Sequence, residues 1–218
     1  MTPSGLRFRA MATEPEARAR ATEVRKATSH DRAAIVPMLA RAFDDDPVWS
    51  WLFPWDDRRP EILRAFFDVA MHLYLRNDEV ELYGDAVGAA LWAPPGKWRV
   101  GPMEMLRSMP KLLPVMRSRA IRGMQVMTHV EKHHPHEPHR YLAVLGTEPE
   151  HQGEGIGSAM LRSVLERCDR EKVPAYLESS SEGSKRLYER HGFRVTRELP
   201  LPPDGPPVWL MWRDPVAA

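Results

Sequence analysis

Cysteine is nearly absent: Cys168 is the one thiol in 218 residues. That excludes an internal disulfide framework and any multi-Cys zinc module, and it fits a reducing compartment, so a cytoplasmic location is expected. An excess of charge is lacking too. Lys plus Arg number 31 and Asp plus Glu 30, for a net charge of +1. Binders of nucleic acid or of membrane surfaces usually carry a large basic excess, so neither is expected as a partner. No apolar run approaches the ~18 residues that span a bilayer. Residues 1–21 have no apolar segment of the secretory-signal kind, and Glu14 and Glu16 count against a transit peptide. They carry almost no large apolar side chain, and the expectation is a disordered extension, with Met11 as an alternative start. A single domain is expected over 22–214, with a helical insert at about 98–138 and a short tail at 215–218.

Proline, by contrast, is abundant at 21 residues, about twice the usual ~5%. The prolines fall between apolar segments and punctuate a fold. A short strand is expected at Val24 to Ala27, then a helix from about Asp31 to Phe43 capped by Ser29, with Pro37 inside it. Asp46 to Trp55 is aromatic and proline-bounded, which suggests a short helix or turn. A helix from about Pro60 to Arg76 precedes a hairpin, Val80 to Tyr83 and Ala86 to Ala93. Residues 101–134 read as two helices split near Pro114. From Tyr141 onward strands alternate with helices: Tyr141 to Thr147, Gly155 to about Glu171, Ala175 to Ser179, 183–191, Phe193 to Glu198 and Val208 to Trp212. The fold class is mixed α/β, with Tyr141 to Thr147 and Ala175 to Ser179 as parallel neighbours across a helical crossover.

The most informative stretch is Tyr141-Leu-Ala-Val-Leu-Gly-Thr147, a turn over 148–151, then Gln152-Gly-Glu-Gly-Ile-Gly-Ser158. It reads as strand, glycine-rich loop and helix. The helix start leaves about four N–H groups free and carries a partial positive charge, and glycines let an anion come close. A diphosphate is a natural guest. Ser158 stands where a dinucleotide fingerprint needs its third glycine, and the Gly-Lys of a nucleoside-triphosphate loop is missing.

The run Gln152-x-x-Gly155-x-Gly157 resembles the pyrophosphate loop of GNAT acyl-CoA N-acetyltransferases. Ala175-Tyr-Leu-Glu178 followed by Leu187-Tyr-Glu-Arg-His-Gly-Phe193 is similar to the companion signature of that family. The likeness covers about residues 23–213 and is specific from 141 to 195. Within the family it resembles the puromycin N-acetyltransferase subgroup, through Ala42-Phe43 with Asp46-Pro47, Glu137-Pro138-His139 and the Gly-Pro-Pro, Trp, Met, Arg ending. The resemblance implies a mixed sheet of six to seven strands flanked by helices (an α+β fold), with two parallel strands splayed to admit the cofactor arm. It implies acetyl-CoA as co-substrate, no metal, and transfer to a primary amine, most simply of a small antibiotic- or metabolite-like molecule, by direct attack on the thioester. A non-catalytic acyl-CoA sensor and a protein or peptide N-acetyltransferase are the alternatives. Either a monomer or a homodimer fits.

By the same resemblance, the backbone at Leu145 and Thr147 would bind the pantetheine arm. The N–H groups of Gln152, Gly153, Gly155, Ile156, Gly157 and Ser158 would hold the pyrophosphate. Tyr188 matches the tyrosine beside the cofactor sulfur, and would protonate the departing thiolate. An asparagine is common in the preceding loop of the family, and this chain offers Ser181 and Ser184 there, a hydroxyl in place of an amide. Glu178 is the candidate base, against an exposed or ion-paired carboxylate and against a water relay.

Five of nine histidines lie between 129 and 139. His129 and His133 are one helical turn apart, but the bland reading, a solvated helix end, outweighs a metal site. His139 or Arg140 is instead expected to help form the acceptor pocket or a proton exit. Six methionines between 103 and 127 read as adaptable core before pocket lining. The acceptor is expected over the 47–55 aromatics and the 98–127 insert.

Overall fold

The structure, a computed structural model, describes residues 23–55 and 57–216; the expected extension at 1–21 lies outside them. Seven strands form one mixed sheet in the order β1-β2-β3-β4-β5-β7-β6. They are β1 Val24–Lys26, β2 Val80–Tyr83, β3 Gly88–Ala93, β4 Arg140–Thr147, β5 Ala175–Ser179, β6 Arg194–Pro200 and β7 Pro207–Arg213. The helices are α1 Arg32–Ala42, α2 Pro47–Leu52, α3 Arg59–Leu75, α4 Pro102–Met116, α5 Ala120–Glu131, α6 Ile156–Glu171 and α7 Glu182–Arg190. Among the described residues no helix is long and apolar enough to cross a membrane.

Apolar side chains at helical spacing decide which face each helix buries. Ile35 and Leu39 of α1 and Leu63, Phe67 and Met71 of α3 pack on Val80, Leu82, Leu91 and Val144. On the opposite face, Met160, Val164 and Cys168 of α6 meet Ala90, Trp92, Leu142 and Leu177. Two glycines let these layers close. A Cβ on Gly146 would stand 2.6 Å from Leu39, and one on Gly88 2.8 Å from Ile156. Burial pushes the Cys168 thiol up to about 11, so it is an inert core residue.

Several expectations shift in detail. Ser29 does not cap the first helix. A 3-10 turn over Ser29–Asp31 leads into α1, and Thr28 starts that turn, its N–H and Oγ1 donating to Asp31 Oδ2 at 2.7 and 3.0 Å. Residues 101–134 do break into two helices, but at Arg117 (φ 49°), one turn later than Pro114. Both Pro110 and Pro114 sit inside α4. The methionine expectation fails. Met103, Met124 and Met127 are exposed, none of the six is buried, and Met116 alone packs against a core cluster, that of Leu52, Phe53 and Ile62.

Candidate active site

The site begins where the sheet comes apart. Strands β4 and β5 are parallel and pair at Arg140 with Ala175, Tyr141 with Tyr176 and Leu142 with Leu177. Beyond that the ladder stops, although β4 runs on to Thr147 and β5 to Ser179. A bulge accompanies the parting. Leu91 faces Val144 and Trp92 faces Leu142, so Ala143 is an extra residue in β4. A bulge bends its strand. It also resets the alternation, so that Leu142 joins the α6 core and Val144 the α1–α3 core. From Ala143 on, the edge of β4 toward β5 has no strand partner.

A cleft of ≈ 1130 Å³ opens there, lined by β4 from Leu142 to Thr147, the loop 151–158, Glu178 to Ser181 and Tyr188. Leu145, Thr147, Gln152, Gly153, Gly155, Ile156, Gly157, Ser158, Glu178, Ser184 and Tyr188, all singled out in the sequence, line this one cavity. Gly153 (φ 81°) and Gly155 (φ 87°) take the left-handed backbone that turns the loop into the first turn of α6. Nothing lies within 4 Å of where a Cβ on Gly153 would be, so the approach to the helix start is open. The residues therefore fit a diphosphate and the arm behind it.

The serines and Gln152 are already engaged. Ser181 caps α7, accepting from Ser184 N at 3.2 Å, and Ser184 Oγ lies 2.8 Å from both Ser179 Oγ and Ser181 Oγ. Gln152 Nε2 donates to the Thr147 carbonyl at 3.3 Å. Ser158 Oγ bonds His191 Nε2 at 3.0 Å. Burial, helped by Arg162, Arg190 and Arg213, pushes the His191 pKa down to about 4, so its ring is neutral.

Charge is spread unevenly along the cleft. Arg162 and Arg190 lie near the neutral His191, which bonds Ser158 at the α6 start, with Glu154 in the same loop, and Asp46, tied to Ser180, and Glu178 line the part beside β5. Local sequence gave no sign of the arginines' role, since Arg162 reads as the polar face of α6. Asp46 caps α2 by accepting from Val48 N at 2.9 Å and Trp49 N at 3.1 Å, and Ser180 Oγ donates to its second oxygen. Burial pushes the Asp46 carboxyl up. Burial, with the Asp46 charge nearby, also pushes the Tyr188 phenol well above its usual value, so it carries its proton. The Tyr188 ring packs edge-on against Phe193 at 6.0 Å.

Glu178 is neither solvent-facing nor paired with arginine. Its Oε1 lies 3.3 Å from His134 Nδ1, and its side chain is 11% exposed. Tyr74, Tyr141 and Tyr176 surround it, and their phenols are raised by burial and by its charge. Arg140 does not reach the cleft. It is buried in ion pairs with Glu79 at 2.7 Å and Glu171 at 2.8 Å. From the 47–55 stretch the cleft takes only Pro47 and none of the aromatics, and from 98–127 nothing. Phe53 is buried, Trp49 stacks on it at 5.8 Å, and Trp98 stacks on His134 at 3.6 Å. Among the described residues no group of three or more His, Cys, Asp or Glu side chains could hold a metal ion.

A model of the acetyltransferase (GNAT) family matches residues 36–193, and the chain belongs to that family. It is similar to an uncharacterised N-acetyltransferase of Schizosaccharomyces pombe, 24% identical over 81% of this chain and 77% of that one. A mycothiol acetyltransferase of Acidimicrobium ferrooxidans is 35% identical over 35% of this chain and 23% of that protein. Among solved structures, one described as histone acetyltransferase HPA2 and related acetyltransferase, from Corynebacterium glutamicum, superposes with a TM-score of 0.67. It is 28% identical and covers 89% of this chain and 97% of its own. The protein is thus an acetyl-CoA-dependent N-acetyltransferase with the fold of its family.

Proposed function

We propose that this acetyltransferase acts on a protonated primary amine of a small molecule, with Tyr188 as proton donor to the departing thiolate and Glu178 as the first proton acceptor. The observation that carries this reading is the distribution of charge in the cleft: Arg162 and Arg190 near His191 and Ser158 at the α6 start, and Asp46, close to Tyr188, with Glu178 beside β5. The basic part suits a diphosphate, and the acidic part suits an ammonium.

Acetyl-CoA supplies an activated acyl carbon and a thiolate leaving group. The chain must remove a proton from the ammonium, support charge on the carbonyl oxygen, and return a proton to sulfur. Glu178 is recessed beside the end of the β4–β5 ladder, where an amine entering past Asp46 meets it. Tyr188 keeps its proton until a thiolate appears. Burial that raises the phenol raises a thiol in the same cleft as well, so their match survives desolvation. Backbone groups of Leu145 and Thr147 on the unpaired edge of β4 would hold the pantetheine arm, and the N–H groups from Gln152 to Ser158 the pyrophosphate.

The finer likeness to puromycin N-acetyltransferase puts antibiotic-like amines among the acceptors to try first. We assign residues 22–214 to one catalytic domain, with 98–138 as its helical insert, in a cytoplasmic monomer or homodimer. Thiol release from acetyl-CoA against a panel of small amines, histone peptides and N-terminal peptides tests the reading. Small amines should turn over fastest. A preference for peptides would replace the acceptor class, and binding of acetyl-CoA without release by any acceptor would favour a sensor.

A further inference from the structure

We propose that Arg162 and Arg190 form a second anion site beside the 152–158 loop, one built for a phosphomonoester: the 3′-phosphate on the ribose of coenzyme A. The inference rests on the reading of that loop as the seat of the diphosphate. It comes from cations that the fold gathers and leaves without partners.

Three arginines surround the half-buried His191, the residue that ends α7. One of them is used within the protein. Arg213 meets both oxygens of Asp169 at 2.8 Å, and its Nε donates to the His191 carbonyl at 2.9 Å. The other two are not used in this way. Arg162 and Arg190 both line the cleft, and among the described residues neither has a carboxylate within ion-pair distance. The Arg162 Nε is buried and makes no hydrogen bond. A buried donor left without an acceptor is costly, so a group that supplies one gains what the folded chain forgoes. The acids close by are held elsewhere: Glu154 of the loop lies 3.3 Å from His151, and Asp169 is taken by Arg213.

The ring between the arginines adds no counter-charge. His191 Nε2 lies 3.0 Å from Ser158 Oγ, which holds the imidazole against the α6 start. Burial first, and the arginines next, push its pKa down, so the ring stays neutral beside two uncompensated positive charges.

Position separates this site from the diphosphate. The free N–H groups of a helix belong to its first turn. Arg162 stands one turn beyond Ser158 on α6, about 6 Å along the axis. Coenzyme A carries its diphosphate at the 5′ position of the ribose and its third phosphate at the 3′ position, so one sugar ring separates the two anions. A phosphomonoester bears nearly two negative charges at neutral pH and offers three acceptor oxygens, which suits a pair of guanidiniums. This group is remote from the thioester and does not change during acyl transfer. Its binding therefore acts equally on ground state and transition state, and it sets KM for acetyl-CoA while leaving kcat alone.

The test is calorimetry on the full-length protein with CoA and with 3′-dephospho-CoA. The parent should bind CoA about 10-fold tighter or more. Arg162→Gln with Arg190→Gln should bring CoA affinity down to the level of 3′-dephospho-CoA and leave the affinity for 3′-dephospho-CoA unchanged, which also shows that the variant folds. A second readout is the ³¹P signal of the 3′-phosphate in bound CoA. It should titrate below the ~6 of a free phosphomonoester in the parent and return toward that value in the variant. Equal affinity of the parent for the two ligands overturns the site. So does an equal loss for both in the variant, which would give the arginines to the diphosphate. Failure of the loop reading shows separately, as an affinity for 3′-dephospho-CoA that Gly155→Val leaves unchanged.

Discussion

Leu142 stands opposite Leu177, and theirs is the last rung joining β4 to β5. Both side chains are buried in the α6 core. The strands are therefore held together by packing up to that point and separate directly after it, at the Ala143 bulge. The cleft, the anion loop and the acidic part all follow from where this pairing ends.

The loop that starts α6 should tolerate no side chain that disturbs its turn. Gly155 has φ 87°, a region β-branched residues avoid. Gly155→Val should remove measurable CoA binding by calorimetry. A Cβ on Gly157 would stand 3.3 Å from Leu187, so Gly157→Leu should do the same by displacing α7. Unchanged affinity in a folded variant would move the diphosphate elsewhere.

Tyr188→Phe should lower kcat by roughly 10²–10⁴-fold, the span of general acid catalysis, with little change in CoA affinity. The packing on Phe193 is kept by the replacement, so the loss isolates the hydroxyl. Near-normal turnover would reduce Tyr188 to a core residue.

Gly146 is where α1 rests on β4. Gly146→Ala puts a methyl 2.6 Å from Leu39 and 3.3 Å from Phe43. The cost should be about 1–3 kcal/mol of overpacking, read from denaturant unfolding. A variant as stable as the parent would mean that α1 shifts freely.

His191 should make stability depend on pH in one window. Its folded pKa, about 4, lies below the ordinary 6.5. From pH ~6.5 downward the unfolded chain takes a proton that the folded ring refuses until about pH 4. This contribution is full above ~6.5 and is lost as pH falls toward 4. Its slope is at most ~1.4 kcal/mol per pH unit, and less because the ring is only half-buried. The difference in unfolding free energy between the parent and His191→Gln should therefore vary over that window. A constant difference would remove the assignment.

Sequence alone determined the parts whose physics is local. The 3.6-residue spacing of Ile156, Met160, Val164 and Cys168, and the glycines before them, settle a helix with an open start. The order of strands and helices settles a mixed sheet with a parallel pair, and the family signature follows from the same stretch, 141–195. Tyr188 and Glu178 were legible as candidates for that reason, and both line the cleft. Tertiary structure decided what each of them meets. Ser180 reaches Asp46 from 134 positions away. Glu178 finds His134 across the β4–β5 junction, and Arg140 turns into the core toward Glu79 and Glu171. The Ala143 bulge has no composition of its own: it is a register between two strands, set by which side chains fit each face. A histidine-rich connector reads as solvated because burial is not written in its residue types. Its buried part is buried only because Trp98, Tyr141 and Tyr176 pack around the His134 ring, while His134 and His139 meet through their Nε2 atoms and His139 Nδ1 meets the Glu137 carbonyl.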